Sequence, residues 1–224
     1  MIPLKDDIPS RSFPLFNILL IIANIVVFFY ELTLSPLRLR LFFYQYGVVP
    51  YYLWQFDLPL RNLLTSMFLH GGWVHLLGNM LYLWIFGDNV EDRMGHFRYL
   101  IFYILAGIFA RLVQSLVSPF SKVPMIGASG AISGVLGAYL VFFPYARVLT
   151  LVPLFFFINI IAIPAFVFIP FWFLLQLFNG ILSLPASFAG RGGGVAWFAH
   201  IGGFIFGLVF AKIFCRKRYY YWNY

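Results

Sequence analysis

Two segments rich in small residues each carry one side chain that is able to take part in nucleophilic chemistry. Residues 127–137 hold Ser129 among glycines and alanines, and residues 196–207 hold His200 in an otherwise apolar run. Ionisable groups inside a membrane segment are costly, so their presence indicates a functional site. A serine hydroxyl becomes a nucleophile when an imidazole accepts its proton, and the imidazole then protonates the leaving amine. Ser129 and His200 are the candidate nucleophile and general base.

A third polar cluster, residues 70–79, offers hydrogen-bond donors. His75 and Asn79 lie four residues apart and share a helix face, whereas His70 lies five residues before His75 and does not. Two donors on one face are suited to stabilising an oxyanion, although a purely structural role is the alternative for any single histidine. A zinc protease needs two histidines at i, i+4 with an adjacent glutamate, and no carboxylate occurs here before Asp88. The zinc-protease interpretation of this cluster therefore fails.

The composition is that of an integral membrane protein. Of its 224 residues, 62% are hydrophobic and only 10% are charged, whereas about half of a soluble domain is apolar. A membrane-spanning helix needs about 20 mostly apolar residues. Six such segments can be read, and they predict an all-α, six-helix membrane bundle: residues 13–33, 68–88, 98–118, 128–146, 163–183 and 195–215.

These six segments leave no room for a second domain. We expect a cytoplasmic lead-in at residues 1–12, the membrane domain at residues 13–215 and a basic, aromatic cytoplasmic tail at residues 216–224. Residues 34–65 are aromatic but broken by prolines, which favours an irregular loop half-sunk in the outer leaflet. The run from Val148 to Leu184 is too short for two spans and a turn, and Pro153, Pro164 and Pro170 break its first half. We therefore expect residues 148–162 to be interfacial.

The formal charge of +8 reflects membrane topology and not nucleic-acid binding, because the basic residues are scattered at segment ends. With the N-terminus in the cytoplasm, nine basic residues lie inside and six lie at or beyond the outer side. The inner set is Lys5, Arg11, Arg93, Arg98, Arg147, Lys212, Arg216, Lys217 and Arg218, and the outer set is Arg38, Arg40, Arg61, Arg111, Lys122 and Arg191. Both termini are therefore expected in the cytoplasm. Cys215 is the only cysteine, which excludes a disulfide within the chain.

Small residues recur every three or four positions on both catalytic segments. The stripes are Ser129, Ser133 and Gly137 on the fourth span, and Ala196, His200, Gly203 and Gly207 on the sixth. Small residues at this spacing let membrane helices approach closely, so the stripes should bring the hydroxyl and the imidazole together. No carboxylate inside the membrane is available to orient the imidazole, which predicts a dyad and not a triad. The alternative is close packing with an incidental histidine.

Three motifs of the chain resemble those of the rhomboid family of intramembrane serine proteases. They are His70-Gly71-Gly72-Trp73-Val74-His75-Leu76-Leu77-Gly78-Asn79, Gly127-Ala128-Ser129-Gly130 and Ala199-His200-Ile201-Gly202-Gly203, and the similarity extends from Arg61 onward. The resemblance implies a six-helix bundle with Ser129 as nucleophile and His200 as general base. It also implies an oxyanion hole from His75, Asn79 and the Ser129 backbone N–H, with supporting roles for His70, Gly127 and Gly130.

The same resemblance implies substrates and surroundings. Substrates would be single-span membrane proteins, cut near or within the lipid bilayer where their helices unwind easily. The fifth span and the loop before the sixth would form the gate, and no metal or organic cofactor is expected. A bacterial cell (inner) membrane is the expected location.

Two positions depart from the family pattern. Rhomboids often carry an aromatic residue one turn after the nucleophile, stacked on the base, where this chain has Ser133. We predict that the Ser133 hydroxyl hydrogen-bonds the far nitrogen of His200 instead. The family's Trp-Arg pair in the first loop is also not matched, since Leu60 precedes Arg61.

Three further classes are weighed against this prediction. A rhomboid-like pseudoprotease that only binds membrane clients would have lost Ser129 or His200, and both are present. A transporter would show inverted repeats and helices broken at mid-membrane, and no convincing internal repeat is found. An aspartyl protease would need two carboxylates inside the bilayer, and Asp88 has no partner there.

Overall fold

The computed structural model describes residues 1–154, 157–188 and 194–216, and it is mostly helical. Five longer helices form the bundle together with the short helix α7. The bundle helices are α1 (Leu15–Leu32), α5 (Trp73–Met94), α6 (His96–Val117), α7 (Ser129–Phe142), α8 (Ala165–Phe188) and α9 (Trp197–Phe214). Three smaller helices, α2 (Pro36–Tyr46), α3 (Pro50–Trp54) and α4 (Asn62–Thr65), lie in the segment predicted to be an irregular loop.

Four helices, α1, α6, α8 and α9, are long and apolar enough to cross a membrane. The other two bundle helices fall short by composition or by length. The last two turns of α5 carry Asp88, Glu91, Asp92 and Arg93. Helix α7 has 14 residues and spans about 21 Å, less than the roughly 30 Å of a hydrocarbon core. The six-span count therefore stays a prediction.

Helix α7 is short because it is central. Every residue from Gly130 to Tyr139 is buried, and α7 packs against α5, α6 and α9. A helix surrounded by protein does not need to match the thickness of the bilayer.

The bundle carries a three-stranded antiparallel sheet. The fold is mostly helical, but the prediction that it is all-α was wrong. The strands are β1 (Ile2–Asp6), β2 (Arg147–Leu154) and β3 (Phe157–Pro164), and β2 lies in the middle. Residue Lys5 pairs with Leu149, and Thr150 pairs with Ile161. Strands β2 and β3 are rich in β-branched residues, which favour extended backbone over helix. The lead-in at residues 1–12 thus includes a strand. The segment predicted to be interfacial, residues 148–162, falls in the paired strands β2 and β3 where the structure describes it.

The first strand is attached to the end of the bundle through Asp6. The Tyr139 hydroxyl donates to its carboxylate, and the Asn89 side-chain amide donates to the same oxygen at 2.9 Å. Burial raises the pKa of Asp6 to about 6. A protonated or partly protonated carboxyl is the less costly form where solvent is scarce.

Helices α7 and α9 touch backbone to backbone, which confirms the approach predicted from their small residues. A Cβ atom at Gly203 would collide with the carbonyl oxygen of Gly130, and one at Gly207 would collide with that of Gly134. On the other side of α7, a Cβ atom at Gly134 would lie 2.5 Å from the Cβ of Ala106 in α6. Side chains larger than hydrogen at these contacts would separate the helices that carry Ser129 and His200.

Candidate active site

Ser129 and His200 meet at the N-terminal ends of their helices. Ser129 is the first residue of α7, and His200 lies in the first turn of α9. The Nε2 atom of His200 lies 2.8 Å from Oγ of Ser129, a hydrogen-bond distance between residues 71 positions apart. This is the arrangement of a nucleophile and its general base.

The turn before Ser129 is held by Gly127 and a buried arginine. Gly127 has φ +113°, a conformation that favours glycine, and its N–H donates to the Ser66 carbonyl at 2.9 Å. Nη2 of Arg111 donates to the Gly127 carbonyl at 2.6 Å, and its Nε donates to the Ser66 hydroxyl. Arg111 is only 3% exposed, so its guanidinium is buried within the bundle. It fixes the backbone that presents the Ser129 hydroxyl.

His75 and Asn79 both face this turn. A Cβ atom at Gly127 would lie 2.5 Å from Nε2 of His75 and 3.7 Å from Nδ2 of Asn79. Nδ1 of His75 accepts the Gly71 backbone N–H at 3.4 Å, which leaves the ring proton on Nε2. A glycine at position 127 thus leaves room for two donors beside Ser129.

His70 lies behind Asn79 and orients it. Nδ1 of His70 lies 3.3 Å from the Phe68 carbonyl, which can only accept, so Nδ1 carries the proton. Nε2 then accepts from Nδ2 of Asn79 at 2.9 Å. The Asn79 amide is therefore held with its NH₂ group on the side of the two histidines.

Ser133 does not contact the far nitrogen of His200, contrary to our hypothesis. Its hydroxyl donates to the Ser129 carbonyl at 2.7 Å, because a serine in a helix reaches the carbonyl four residues earlier. The partner of Nδ1 of His200 is Oε1 of Gln176 in α8, at 2.9 Å. Gln176 was not among the predicted site residues, although a polar amide in an apolar span is the same kind of signal that indicated His200.

Aromatic rings reach His200 from elements other than α7. The ring centroid of Trp172 in α8 lies 6.2 Å from that of His200, and Trp197 lies 6.1 Å away at the start of α9. Two tryptophans thus occupy the surroundings of the imidazole where the family pattern places a ring from the nucleophile's own helix.

Gln114 of α6 holds the N-terminal end of α9, the helix that carries His200. Its Oε1 accepts the backbone N–H groups of Phe198 and Ala199 at 3.0 and 3.2 Å. The first N–H groups of a helix have no partner within the helix, and a side-chain oxygen at that end satisfies them. The sequence analysis did not assign this role to Gln114.

A cavity of about 990 Å³ opens onto these residues. Its lining includes Ser129, His200, His75, Asn79 and Gln176. Among the described residues, no group of three or more His, Cys, Asp or Glu side chains is placed to hold a metal ion. Residues 189–193 of the predicted gate and residues 217–224 of the tail lie outside the described residues.

Comparison with known proteins identifies the family. Over 93 residues the chain is 38% identical to Rhomboid-like protein 11, chloroplastic, of Arabidopsis thaliana, which is 42% of this chain and 33% of that protein. Over 79 residues it is 46% identical to Rhomboid protease GluP of Bacillus subtilis, 35% of this chain and 15% of that protein. Over 167 residues it is 31% identical to RHOMBOID-like protein 4 of Arabidopsis thaliana, 72% of this chain and 36% of that protein. The chain thus spans between 15% and 36% of the length of these relatives.

The family match covers most of the chain and includes Ser129, His200, His75, Asn79 and Gln176, the cavity-lining residues named above. Residues 57–217 match the profile of the Rhomboid domain. The matched range begins before His70 and ends after His200. The chain belongs to the rhomboid family.

Proposed function

We propose that this chain is an intramembrane serine endopeptidase that cuts transmembrane segments of membrane proteins. The observation that carries the proposal is the 2.8 Å contact between Oγ of Ser129 and Nε2 of His200. Membership of the rhomboid family and the similarity to Rhomboid protease GluP of Bacillus subtilis support the same activity.

The first half of the reaction transfers the acyl group to the enzyme. The Ser129 hydroxyl gives its proton to Nε2 of His200 while Oγ bonds to the carbonyl carbon of the scissile peptide. The carbonyl oxygen becomes an oxyanion, and His75, Asn79 and the Ser129 backbone N–H are the proposed donors to it. The C–N bond then breaks, and Nε2 returns the proton to the leaving amine.

The second half regenerates the serine. Water gives a proton to Nε2 of His200 as its oxygen attacks the acyl carbon. The ester bond to Oγ breaks, and the proton on Nε2 returns to Ser129. The Ser129 N–H is available for the oxyanion because the first N–H groups of a helix lack intrahelical acceptors.

The proposed substrates are single-span membrane proteins that reach the cavity from the bilayer. Four helices of the chain are long and apolar enough to span a membrane, which supports an integral membrane protein. We propose that α5 and α7 complete a six-span bundle with both termini in the cytoplasm, as the distribution of basic residues indicates. The relatives come from both bacteria and plants. The similarity therefore supports a location in a membrane, but it does not indicate that the membrane is bacterial.

One assay tests the activity. Purified protein, Ser129→Ala and His200→Ala are incubated in detergent micelles with a model single-span substrate, and the products are sized by mass spectrometry. We expect cleavage by the wild type and none by either variant. A protein that only binds membrane clients would retain the substrate uncut, and equal cleavage by wild type and Ser129→Ala would overturn the proposal.

A further inference from the structure

We propose that Gln176 of α8 is the positioning residue that selects the reactive tautomer of His200 and holds its ring toward Ser129. This inference rests on the proposed function and adds a residue to it. Gln176 is 8% exposed, and its Oε1 lies 2.9 Å from Nδ1 of His200. Nε2 of the same ring lies 2.8 Å from Oγ of Ser129. The amide, the imidazole and the hydroxyl therefore form one continuous chain.

The direction of every hydrogen bond in this chain follows from a backbone carbonyl. Nε2 of Gln176 lies 3.2 Å from the carbonyl oxygen of Trp172, and a carbonyl can only accept. The NH₂ end of the Gln176 amide must therefore face Trp172, which turns Oε1 toward His200. An oxygen at Nδ1 requires the ring proton to be on Nδ1. Nε2 is then unprotonated and accepts the Ser129 proton.

The other ring tautomer is disfavoured for the same reason. A proton on Nε2 would leave two acceptors, Nδ1 and Oε1 of Gln176, facing each other at hydrogen-bond distance. It would also remove the lone pair that must take the Ser129 proton. In a serine triad a carboxylate does this work, and a wrong tautomer there lowers kcat by about 10⁴-fold. Gln176 supplies a neutral acceptor for the same nitrogen.

The location of Gln176 gives this contact a further consequence. Ser129 is on α7 and His200 is on α9, whereas Gln176 comes from a third helix, α8. Helix α8 contains Pro170 and Pro185, and a Cβ atom at its Gly180 would lie 3.4 Å from side chains of α9, an ordinary contact and not the backbone collision seen between α7 and α9. The hydrogen-bonded chain of amide, imidazole and hydroxyl is therefore complete only when α8 packs on α9.

The test compares three variants of α8. Gln176→Leu keeps the approximate volume but removes the acceptor, and Gln176→Glu keeps an acceptor at the same reach. Asn179→Leu is the matched control, because the Asn179 amide donates to the carbonyl four residues earlier, at 2.7 Å, as Gln176 does. For each variant, kcat and KM are measured with the model substrate, and the rate of Ser129 labelling is measured with a fluorophosphonate probe.

We expect Gln176→Leu to lower kcat and the labelling rate by about 10- to 100-fold with KM within about twofold, because the lost interaction acts on the reacting group. Gln176→Glu should stay closer to wild type than to Gln176→Leu, and Asn179→Leu should match wild type. Wild-type kcat in Gln176→Leu, an equal loss in Asn179→Leu, or a change in KM alone would each overturn the inference.

A second measurement does not depend on the variants folding. In wild-type protein labelled with ¹⁵N-histidine, the His200 signals report which ring nitrogen carries the proton, and the four histidines of the chain keep the spectrum simple. We expect the proton on Nδ1, and a proton on Nε2 would overturn the inference. The Ser129→Ala comparison keeps the two proposals apart: if wild type cleaves, Ser129→Ala does not and Gln176→Leu has wild-type kcat, only the role of Gln176 fails.

Discussion

Gly203 of α9 lies directly on the carbonyl oxygen of Gly130 in α7, with no space for a Cβ atom between them. Both atoms in this contact belong to the backbone of packed helices, so neither can yield by a rotamer change. Helices α7 and α9 can pack this closely only because residue 203 is a glycine and has no Cβ atom. The contact between Ser129 and His200 depends on that close packing.

Gly203→Ala should therefore separate the two helices. We expect loss of substrate cleavage and a free energy of unfolding lower by about 1–3 kcal/mol, the usual cost of overpacking, or more. The thermal unfolding midpoint in detergent and the cleavage rate measure both effects. Gly78→Ala is the control for stability, since a Cβ atom there meets nothing within 4 Å, and its midpoint should not fall. A Gly203→Ala protein with wild-type midpoint and rate would contradict the argument.

Arg111→Lys should not be conservative. The guanidinium bonds the Ser66 hydroxyl and the Gly127 carbonyl with two different nitrogens, and a single ammonium cannot reproduce that fork. We expect a loss of about 1.5–3 kcal/mol in unfolding free energy, typical of hydrogen bonds to charged groups, together with a lower kcat. Arg98→Lys serves as the comparison, because Arg98 makes an exposed contact with the Cys215 carbonyl and should change stability by less than about 0.5 kcal/mol. Equal midpoints for the two variants would count against this role of Arg111.

Gln114→Leu should uncap α9. Removing Oε1 leaves the N–H groups of Phe198 and Ala199 without their side-chain acceptor, and loss of a helix cap costs about 0.5–2 kcal/mol. Gln114→Glu keeps the acceptor and places an acidic group at a helix N-terminus, so we expect it to retain more stability than Gln114→Leu. The thermal unfolding midpoints of both variants are compared with that of the wild type in the same detergent. A Gln114→Leu midpoint equal to that of the wild type would show that Gln114 does not stabilise α9 as a cap.

Asp6 should make stability depend on pH. Its pKa is raised from 3.8 to about 6 in the folded protein, so between these values the folded state binds more protons than the unfolded state. The stability from this group is present below about pH 4 and is lost as pH rises through about 6. Asp6→Asn keeps an oxygen for Tyr139 and Asn89 but does not ionise. We expect the free energy of unfolding of Asp6→Asn, relative to that of the wild type, to be higher at pH 7 than at pH 4 by about 1–2 kcal/mol. This figure is smaller than the full pKa shift would give because Asp6 is only half-buried. Thermal midpoints at the two pH values measure this, and an unchanged gap between the proteins would contradict it.

The hydrophobic segments could be predicted from the sequence because the hydrophobicity of a segment is set by its own residues. The predicted segment at 13–33 corresponds to α1, and the one at 98–118 corresponds to α6, with bounds shifted by no more than two residues. Strand β1 could not be predicted from the sequence, because it is only five residues long and its partner β2 lies more than 140 positions away. Its pairing depends on where the helices bring the two segments together, which no local pattern reports.

The sequence by itself determined which residues are candidates for the chemistry: a hydroxyl and an imidazole embedded among small residues in an apolar chain. Polar groups there are costly enough to stand out one at a time. Only the tertiary structure decided the partners of those groups, including Gln176 at the far nitrogen of His200, Gln114 at the start of α9 and Arg111 behind Gly127. Hydrogen bonds extend only about 3 Å and depend on direction, so the choice between Ser133 and Gln176 was settled by the positions of three packed helices.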